Sequence, residues 1–262
     1  MRLHIAALSS QPEVFWVTEK RFNDACSRHP ELASRVVADW SWDLVGFERA
    51  LNVSDIVIGW RFGDLSSFRN LHQLKWIQLT GAGTEHLQPL SWLPRHITLT
   101  NNAGVHAAKL AEFAGTAILM LNHGFPHYIT HQRDSKWSKK FTTTIFGKTA
   151  LIIGLGNTGG NVAKWLKSKL GLNVIGVRRS GRTHRYADAV FTPDQLDTLL
   201  PQADFIIVTA PLTNETVDLL DRRRLSLLKP TAGLINLGRA RVVDYDALAE
   251  FLEEGQIAGA IL

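Results

Sequence analysis

The run Thr149-Ala150-Leu151-Ile152-Ile153, followed by Gly154-Leu155-Gly156-Asn157-Thr158-Gly159, constrains this chain more than any other stretch. The short apolar run reads as a buried strand, and Asn161 to Leu170 reads as a helix. Between them stands G-x-G-x-x-G. Each glycine has a physical reason. Gly154 makes the tight turn, Gly156 lets a pyrophosphate approach the backbone, and Gly159 lets the helix pack close to the strand. The helix then offers unpaired N–H groups and the positive end of its dipole to an anion. Asn157 and Thr158 belong to the same candidate loop. The alternative is a glycine-rich turn without a ligand, and the strand before it and helix after it weigh against that.

The residues after the next strand bear on which dinucleotide would bind. An NAD site usually places a carboxylate about 20 residues beyond the glycines, on the ribose 2′-hydroxyl. Here Asn173 to Val177 is followed by Arg178-Arg179-Ser180, and no Asp or Glu occurs between Gly159 and Asp188. Guanidinium groups bind phosphate bidentately and stay charged. The expected ligand is therefore NADP(H), with NAD(H) as the alternative. Arginines on a solvated loop are the competing reading.

The 262 residues suffice for one large domain or two modest ones. Hydrophobic residues make up 45% and charged residues 20%, which excludes a wholly disordered chain. No fixed repeat is present, and no apolar run reaches the roughly 18 residues of a membrane span. Phe113 to Leu121 reads as a buried helix. With Cys26 as the only cysteine, neither an intramolecular disulfide nor a cysteine-rich metal site is expected. No metal is expected, and a cytoplasmic location is. Strands are predicted at Leu3 to Leu8, Asp55 to Gly59 and Leu74 to Leu79, with a polar helix at Glu19 to Arg28. A long helix follows at Val105 to Leu121, then a second through His131 to Trp137. Beyond these comes a regular alternation of strand and helix, which implies a parallel sheet covered on both faces. The boundary is placed at 103/104, giving a first domain over 1–103 and a dinucleotide-binding domain over 104–262.

Several further motifs occur in order. They are Leu79-Thr80-Gly81-Ala82-Gly83, Leu110-Ala111-Glu112-Phe113, the Gly154 loop, Ala210-Pro211-Leu212-Thr213-Asn214-Glu215-Thr216, and Asn236-Leu237-Gly238-Arg239-Ala240 with Asp244 and Ala247-Leu248. As a set they resemble the D-isomer-specific 2-hydroxyacid dehydrogenases. With the paired arginines and Trp60, the chain is most similar to the glyoxylate/hydroxypyruvate reductase branch. The resemblance implies an α/β fold. A Rossmann-type doubly wound parallel sheet would be joined to a smaller flavodoxin-like α/β substrate domain. It implies hydride transfer between a nicotinamide cofactor and a small 2-oxo acid, giving the D-2-hydroxy acid. Arg239 then corresponds to the arginine that grips the carboxylate and favours negative charge on the ketone oxygen. Gly81, Ala82 and Gly83 correspond to the loop offering N–H groups to that carboxylate. Trp60 and Arg61 line the substrate pocket, although an ordinary exposed loop explains them equally well. Ala210, Pro211, Thr216, Leu237 and Gly238 join the cofactor-binding set. The resemblance also implies a homodimer through the cofactor domain, with the helices around Ala108 to Trp137 at the interface.

Two departures stand out. Ala240 replaces the glycine that usually follows the arginine. The family's general acid is a histidine steadied by a glutamate. Both come after the strand resembled by Gly259-Ala260-Ile261-Leu262, where this sequence stops. His86, His106, His123, His127 and His131 show no acidic partner in the sequence pattern and are not expected to substitute. Two functions are therefore carried. One is the oxidoreductase, with its C-terminal segment outside this sequence. The other is a non-catalytic NADP-binding protein or truncated remnant, if residue 262 is the true end. Arg222-Arg223-Arg224 is too short, and too poor in interleaved aromatics, for a nucleic-acid tract. Neither nucleic acid nor a membrane is an expected partner.

Overall fold

The structure, a computed structural model, describes residues 1–262. It consists of two compact units, Met1–Val105 and His106–Leu262.

The first unit is built on five parallel strands: β1 (Arg2–Ala6), β2 (Val37–Ser41), β3 (Ile56–Gly59), β4 (Trp76–Leu79) and β5 (Thr98–Thr100). Their spatial order is β2-β1-β3-β4-β5. The order reverses between β1 and β3, as in flavodoxin-like sheets. The helices are α1 (Glu19–Arg28), α2 (Pro30–Ala33) and α3 (Leu44–Leu51). Thr18 caps α1 by accepting from Arg21 N–H, and Asp43 caps α3 by accepting from Gly46 N–H at 2.6 Å. Such caps contribute about 1 kcal/mol each. Leu3, Ile5 and Ile56 pack on one face of the sheet, with Phe22 and Trp40 against them. Phe47, Leu51, Phe68, Leu74 and Ile77 fill the other.

The second unit holds β6 (Thr149–Ile153), β7 (Asn173–Val177), β8 (Ala189–Phe191), β9 (Phe205–Val208), β10 (Gly233–Asn236) and β11 (Gly259–Ile261). All pair in parallel, in the order β11-β10-β9-β6-β7-β8. This is the doubly wound order, with its reversal between β6 and β9. Helices α4 (Ala107–Asn122), α5 (Phe125–Arg133), α6 (Asn157–Trp165), α7 (Leu196–Leu199), α8 (Arg222–Leu225) and α9 (Tyr245–Glu253) complete it. Strand β6 shows why its sequence is apolar from Ala150 to Ile153. Leu151 and Ile153 face a core shared with Leu225 and Leu248, while Ala150 and Ile152 face one shared with Ile118 and Val162. Both faces are buried, so no residue alternates to polar. No helix is long and apolar enough to cross a membrane.

Several sequence expectations are corrected. The helix expected through His131 to Trp137 instead ends at Arg133, and Ser135 takes a left-handed φ of 53°. Gly124, at φ 70°, separates α4 from α5. The first strand stops at Ala6 rather than Leu8. Strands β2, β5 and β8 and helix α3 carry no expectation at all. β2 and β5 are mostly exposed or half-buried, and β8 is three half-buried residues. None offers the dense apolar run that betrays a central strand.

Candidate functional site

In the second unit three loops meet at the carboxyl ends of β6, β9 and β10. Gly154 has φ +105°, and a Cβ there would lie 2.4 Å from the backbone nitrogen of Ala210. Any other side chain would push the β6 and β9 loops apart. Thr209 Oγ1 donates to the Gly154 carbonyl at 2.7 Å and would meet a Cβ on Gly159 at 2.8 Å. A Cβ on Gly238 would lie 2.8 Å from the Ala210 carbonyl oxygen. The backbone at Ala210 is thus wedged between two glycines. By contrast, a Cβ on Gly156 would meet nothing within 4 Å. Gly156 is exposed at the start of α6, and no side chain caps that helix. This is an open cradle of backbone at a helix N-terminus, a shape and charge suited to a phosphate. Asn157 and Thr158 form the first turn beside it, and the Asn157 carbonyl accepts from Asn161 Nδ2 at 2.9 Å.

Arg178, Arg179 and Ser180 follow β7 at the same end of the sheet. Arg178 Nε donates to Ser180 Oγ at 3.0 Å, and Gly181 N–H closes a turn on the Arg178 carbonyl at 3.1 Å. Arg179 and Ser180 are exposed. One carboxylate does approach them, from a different loop. The Thr213 hydroxyl and its own N–H hold Glu215 below the usual carboxylate range, and the positive charge of Arg179 adds to this. Pro211 and Thr216 lie in that loop. The Thr216 hydroxyl donates to the Pro211 carbonyl at 2.7 Å and accepts from Thr213 N–H at 2.7 Å, so it shapes the loop from within.

Arg239 is exposed just beyond β10. Asn236 shapes the turn that presents it. Its Oδ1 accepts from Gly238 N–H at 2.9 Å, and its Nδ2 donates to the Arg239 carbonyl at 3.2 Å and to Tyr245 Oη at 3.0 Å. Leu237 N–H donates to the Val208 carbonyl at 2.9 Å, tying the turn to β9. Ala240 opens a short 3-10 turn over Ala240–Val242 and is not among the residues with positive φ.

The first unit gathers a second set of residues. Asn101 Nδ2 donates to the Ala82 carbonyl at 2.8 Å, Asn102 N–H to that of Gly81 at 3.0 Å, and Asn102 Nδ2 to that of Thr80 at 3.0 Å. Three successive carbonyls are engaged from one side. The N–H groups of Gly81, Ala82 and Gly83 make no hydrogen bond. Such a row of N–H groups can take a carboxylate. A Cβ on Gly81 would lie 2.1 Å from the Trp60 ring, so only glycine lets the indole close over this loop. Trp60 and Arg61 lead out of β3, the first half-buried and the second exposed.

Of the five histidines weighed above, His86 lies against Trp60 in this set and the other four lie apart from it. His86 Nε2 is 2.8 Å from the Trp60 carbonyl, and His106 is exposed at the start of α4. His127 Nε2 pairs with Ser138 Oγ at 2.9 Å, His131 Nδ1 with the His127 carbonyl at 2.9 Å, and His123 Nδ1 with Thr142 Oγ1 at 3.4 Å. No group of three or more His, Cys, Asp or Glu side chains is placed to hold a metal.

Sequence reasoning did not single out Thr209, Asn236, Asn101 or Asn102 as site residues. All four act on backbone atoms of the loops. Asn236 lies within the Asn236-to-Ala240 motif, and the other three lie outside every motif.

Residues 116–262 match the family model described as D-isomer specific 2-hydroxyacid dehydrogenase, NAD binding domain. A glyoxylate reductase of Thermococcus gammatolerans is 32% identical over 204 residues, covering 74% of this chain and 60% of that protein. A glyoxylate/hydroxypyruvate reductase B of Pectobacterium carotovorum is 42% identical over 129 residues, covering 48% of this chain and 39% of that protein. The chain thus spans about 60% of the Thermococcus relative's length, and less of the Pectobacterium one. A crystal structure of a D-isomer specific 2-hydroxyacid dehydrogenase family protein from Aeromonas salmonicida superposes with a TM-score of 0.78 at 25% identity, over 99% of this chain and 80% of that one. With its two parallel sheets, its nested glycine loop and a family match over more than half its length, this chain belongs to the D-isomer-specific 2-hydroxyacid dehydrogenases.

Proposed function

We propose that the chain carries the cofactor-binding unit and a substrate-binding unit of an NADP(H)-preferring oxidoreductase. It would interconvert a small 2-oxo acid of the glyoxylate or hydroxypyruvate kind and the D-2-hydroxy acid. The observation that carries this reading is the open cradle at Gly156 together with Arg178 and Arg179 at the end of the adjacent strand. The open space beside Gly156, where a Cβ would meet nothing within 4 Å, leaves room for a pyrophosphate at the helix N-terminus. The arginines fit a 2′-phosphate, with Ser180 supplying a hydroxyl. The names of the Thermococcus and Pectobacterium relatives support the substrate class.

A bound nicotinamide would supply or accept the hydride. The reduction also consumes one proton, whose donor in the family is a histidine with no counterpart among residues 1–262; holding and polarising the 2-oxo acid fall to this chain's residues. The N–H groups of Gly81, Ala82 and Gly83 hold the substrate carboxylate, and Arg239 draws negative charge onto the ketone oxygen. Asn101 and Asn102 orient the first set, and Asn236 orients the arginine. Ala210, Pro211, Leu237 and Gly238 form the apolar and backbone walls around the cofactor, and Thr216 keeps the Pro211 loop in shape. The exposed Phe113, Phe125, Ile129 and Trp137 support a homodimer through α4, α5 and the segment after them.

The test is a pair of substitutions in the full-length protein. Arg178→Asp with Arg179→Ala is expected to weaken NADPH binding by about 10- to 100-fold, the scale of lost charge-assisted bonds, while NADH binding changes little. Equal losses for the two cofactors would overturn the 2′-phosphate assignment. Arg239→Met is expected to lower 2-oxo acid reduction by at least about 100-fold with NADPH affinity retained. Binding of NADPH without turnover of any 2-oxo acid would favour a non-catalytic NADP-binding protein.

A further inference from the structure

The segment after β7 carries more positive charge than one phosphate contact needs. Arg178, Arg179, Arg182 and Arg185 follow one another closely, with His184 half-buried among them. The His184 ring rests on the start of α6. A Cβ on Gly160 would lie 2.9 Å from His184 Nε2, so the missing side chain lets the imidazole settle on this helix. Gly160 N–H donates to the Gly156 carbonyl at 2.7 Å, which puts the ring one helical turn from the open glycine of the cradle. The ring thus sits beside the cradle, within the field of Arg178.

Its surroundings favour the neutral ring. His184 Nδ1 accepts from Tyr186 N–H at 3.4 Å, which leaves the hydrogen on Nε2. Burial, and then the charges of Arg178 and Arg185, push the imidazole below its usual range. On α6 the neighbouring cation is Lys164, 5.9 Å from the centre of the Tyr186 ring, and the Arg185 guanidinium lies 4.6 Å from that same ring. No carboxylate is among the groups acting on His184. Asp188, the next acid along the chain, pairs with Lys167 and accepts from Val174 N–H at 2.8 Å. An imidazole kept neutral by surplus positive charge responds when a dianion arrives. A phosphate on Arg178 cancels the repulsion and favours the charged ring, with the proton added at Nδ1.

We infer that His184 belongs to the 2′-phosphate site and takes up a proton as NADP(H) binds, so that an imidazolium and Arg178 hold the phosphate together. This rests on the proposed reading that Arg178 and Arg179 receive that phosphate. A cofactor without the 2′-phosphate draws no proton to the ring. By linkage, the complex binds this proton more tightly than the empty protein does. The gain in NADP(H) affinity is therefore complete below the ring's pKa in the empty protein, and it is lost as pH rises through the pKa in the complex. His184 makes discrimination between the two cofactors a function of pH.

The experiment is calorimetric titration of the full-length protein and of His184→Gln with NADP+ and NAD+, the oxidised forms being stable in acid, at about pH 8 and about pH 5.5. At the higher pH both proteins are expected to bind NADP+ alike, which also shows that the variant is folded. At the lower pH the unmodified protein should bind NADP+ about 3- to 10-fold more tightly than the variant, the scale of a partly screened charge-assisted bond. The phosphate's own titration, near pH 6, is common to both proteins and leaves their ratio untouched. NAD+ should show no such ratio. If His184→Gln does not fold, the His184 ring resonances of the unmodified protein give the same answer: their titration midpoint should rise on adding NADP+ and stay in place on adding NAD+. NADP+ preferred over NAD+ with a ratio or midpoint that does not respond would overturn the inference and leave the proposed function standing. The same gain with NAD+ would also overturn it, since NAD+ has no 2′-phosphate. No preference for NADP+ at either pH would overturn the 2′-phosphate reading and the inference together.

Discussion

The two parallel sheets answer the same problem in different materials. Each reverses its strand order once, and each gathers its candidate residues at the carboxyl ends of its strands. In the second unit the walls are backbone. Gly154, Ala210 and Gly238 nest within contact distance, and Thr209 and Asn236 bond to main-chain atoms. In the first unit the walls are side chains, with Trp60, Phe15 and His86 as rings and Asn101 and Asn102 as tethers. Backbone geometry suits a ligand that is always the same, since it can be neither tuned nor lost by one substitution outside glycine. Side-chain walls suit a ligand that differs between relatives.

That contrast breaks most sharply at its glycines. Gly154→Val places a Cβ against Ala210 N–H in a backbone region closed to valine, so NADPH binding is expected to fall by about 100-fold or more. Near-normal calorimetric affinity would show that the nested loops do not form the cradle. Gly81→Ala is the counterpart in the first unit. Its Cβ would displace the Trp60 ring, and the expected result is roughly a 10-fold loss of kcat/KM for the 2-oxo acid with NADPH affinity unchanged.

Asn101→Ala tests the tethers. It frees the Ala82 carbonyl and removes the acceptor of Ala103 N–H at 3.2 Å, at an expected cost of about 1–2 kcal/mol in denaturant unfolding together with a raised KM. A stability loss with KM unchanged would separate the tether from the site.

The second unit's periphery is expected to respond to acid. Arg223 and Arg224 hydrogen-bond Asp197 and hold its carboxyl at about 2. A carboxylate held low stabilises the fold above its unfolded pKa of about 3.9, and that contribution is lost as pH falls through the folded value. Asp197→Asn should therefore lower the melting temperature at pH 6, with the difference shrinking between pH 4 and 2. The side chain is 39% exposed, so solvent screening keeps the effect to about 0.5–1 kcal/mol. A difference that grows towards pH 2 would contradict the ion pair.

The smallest expected effect is at Glu215. Its carboxylate lies in the field of Arg179 and would compete with a phosphate bound there. Glu215→Gln should tighten NADPH by about 2-fold and leave NADH alone, as for an exposed charge.

These positions also show what was legible in the sequence. The strand, glycine loop and helix around Gly154 were legible because a doubly buried strand cannot hide its apolar run, and the turn after it demands glycine. Arg178, Arg179 and Arg239 were legible by their seats after such strands. Glu215 as a neighbour of Arg179 was not, because 36 residues separate them and only the parallel sheet brings their loops to one edge. β2, β5 and β8 were missed for lack of a fully buried face. Trp60 and Arg61 were expected at a pocket, but Phe15 and His86 beside Trp60 were not, because the three rings share no spacing that a helix or strand imposes.

The central claim is that the cradle and the two arginines together bind a dinucleotide bearing a 2′-phosphate. Calorimetric titration of the unmodified full-length protein with NADPH and NADH at one ionic strength tests it most directly. The expected result is NADPH tighter by about 10-fold or more, with the preference shrinking as salt is raised. Equal affinities, or tighter NADH, would contradict it.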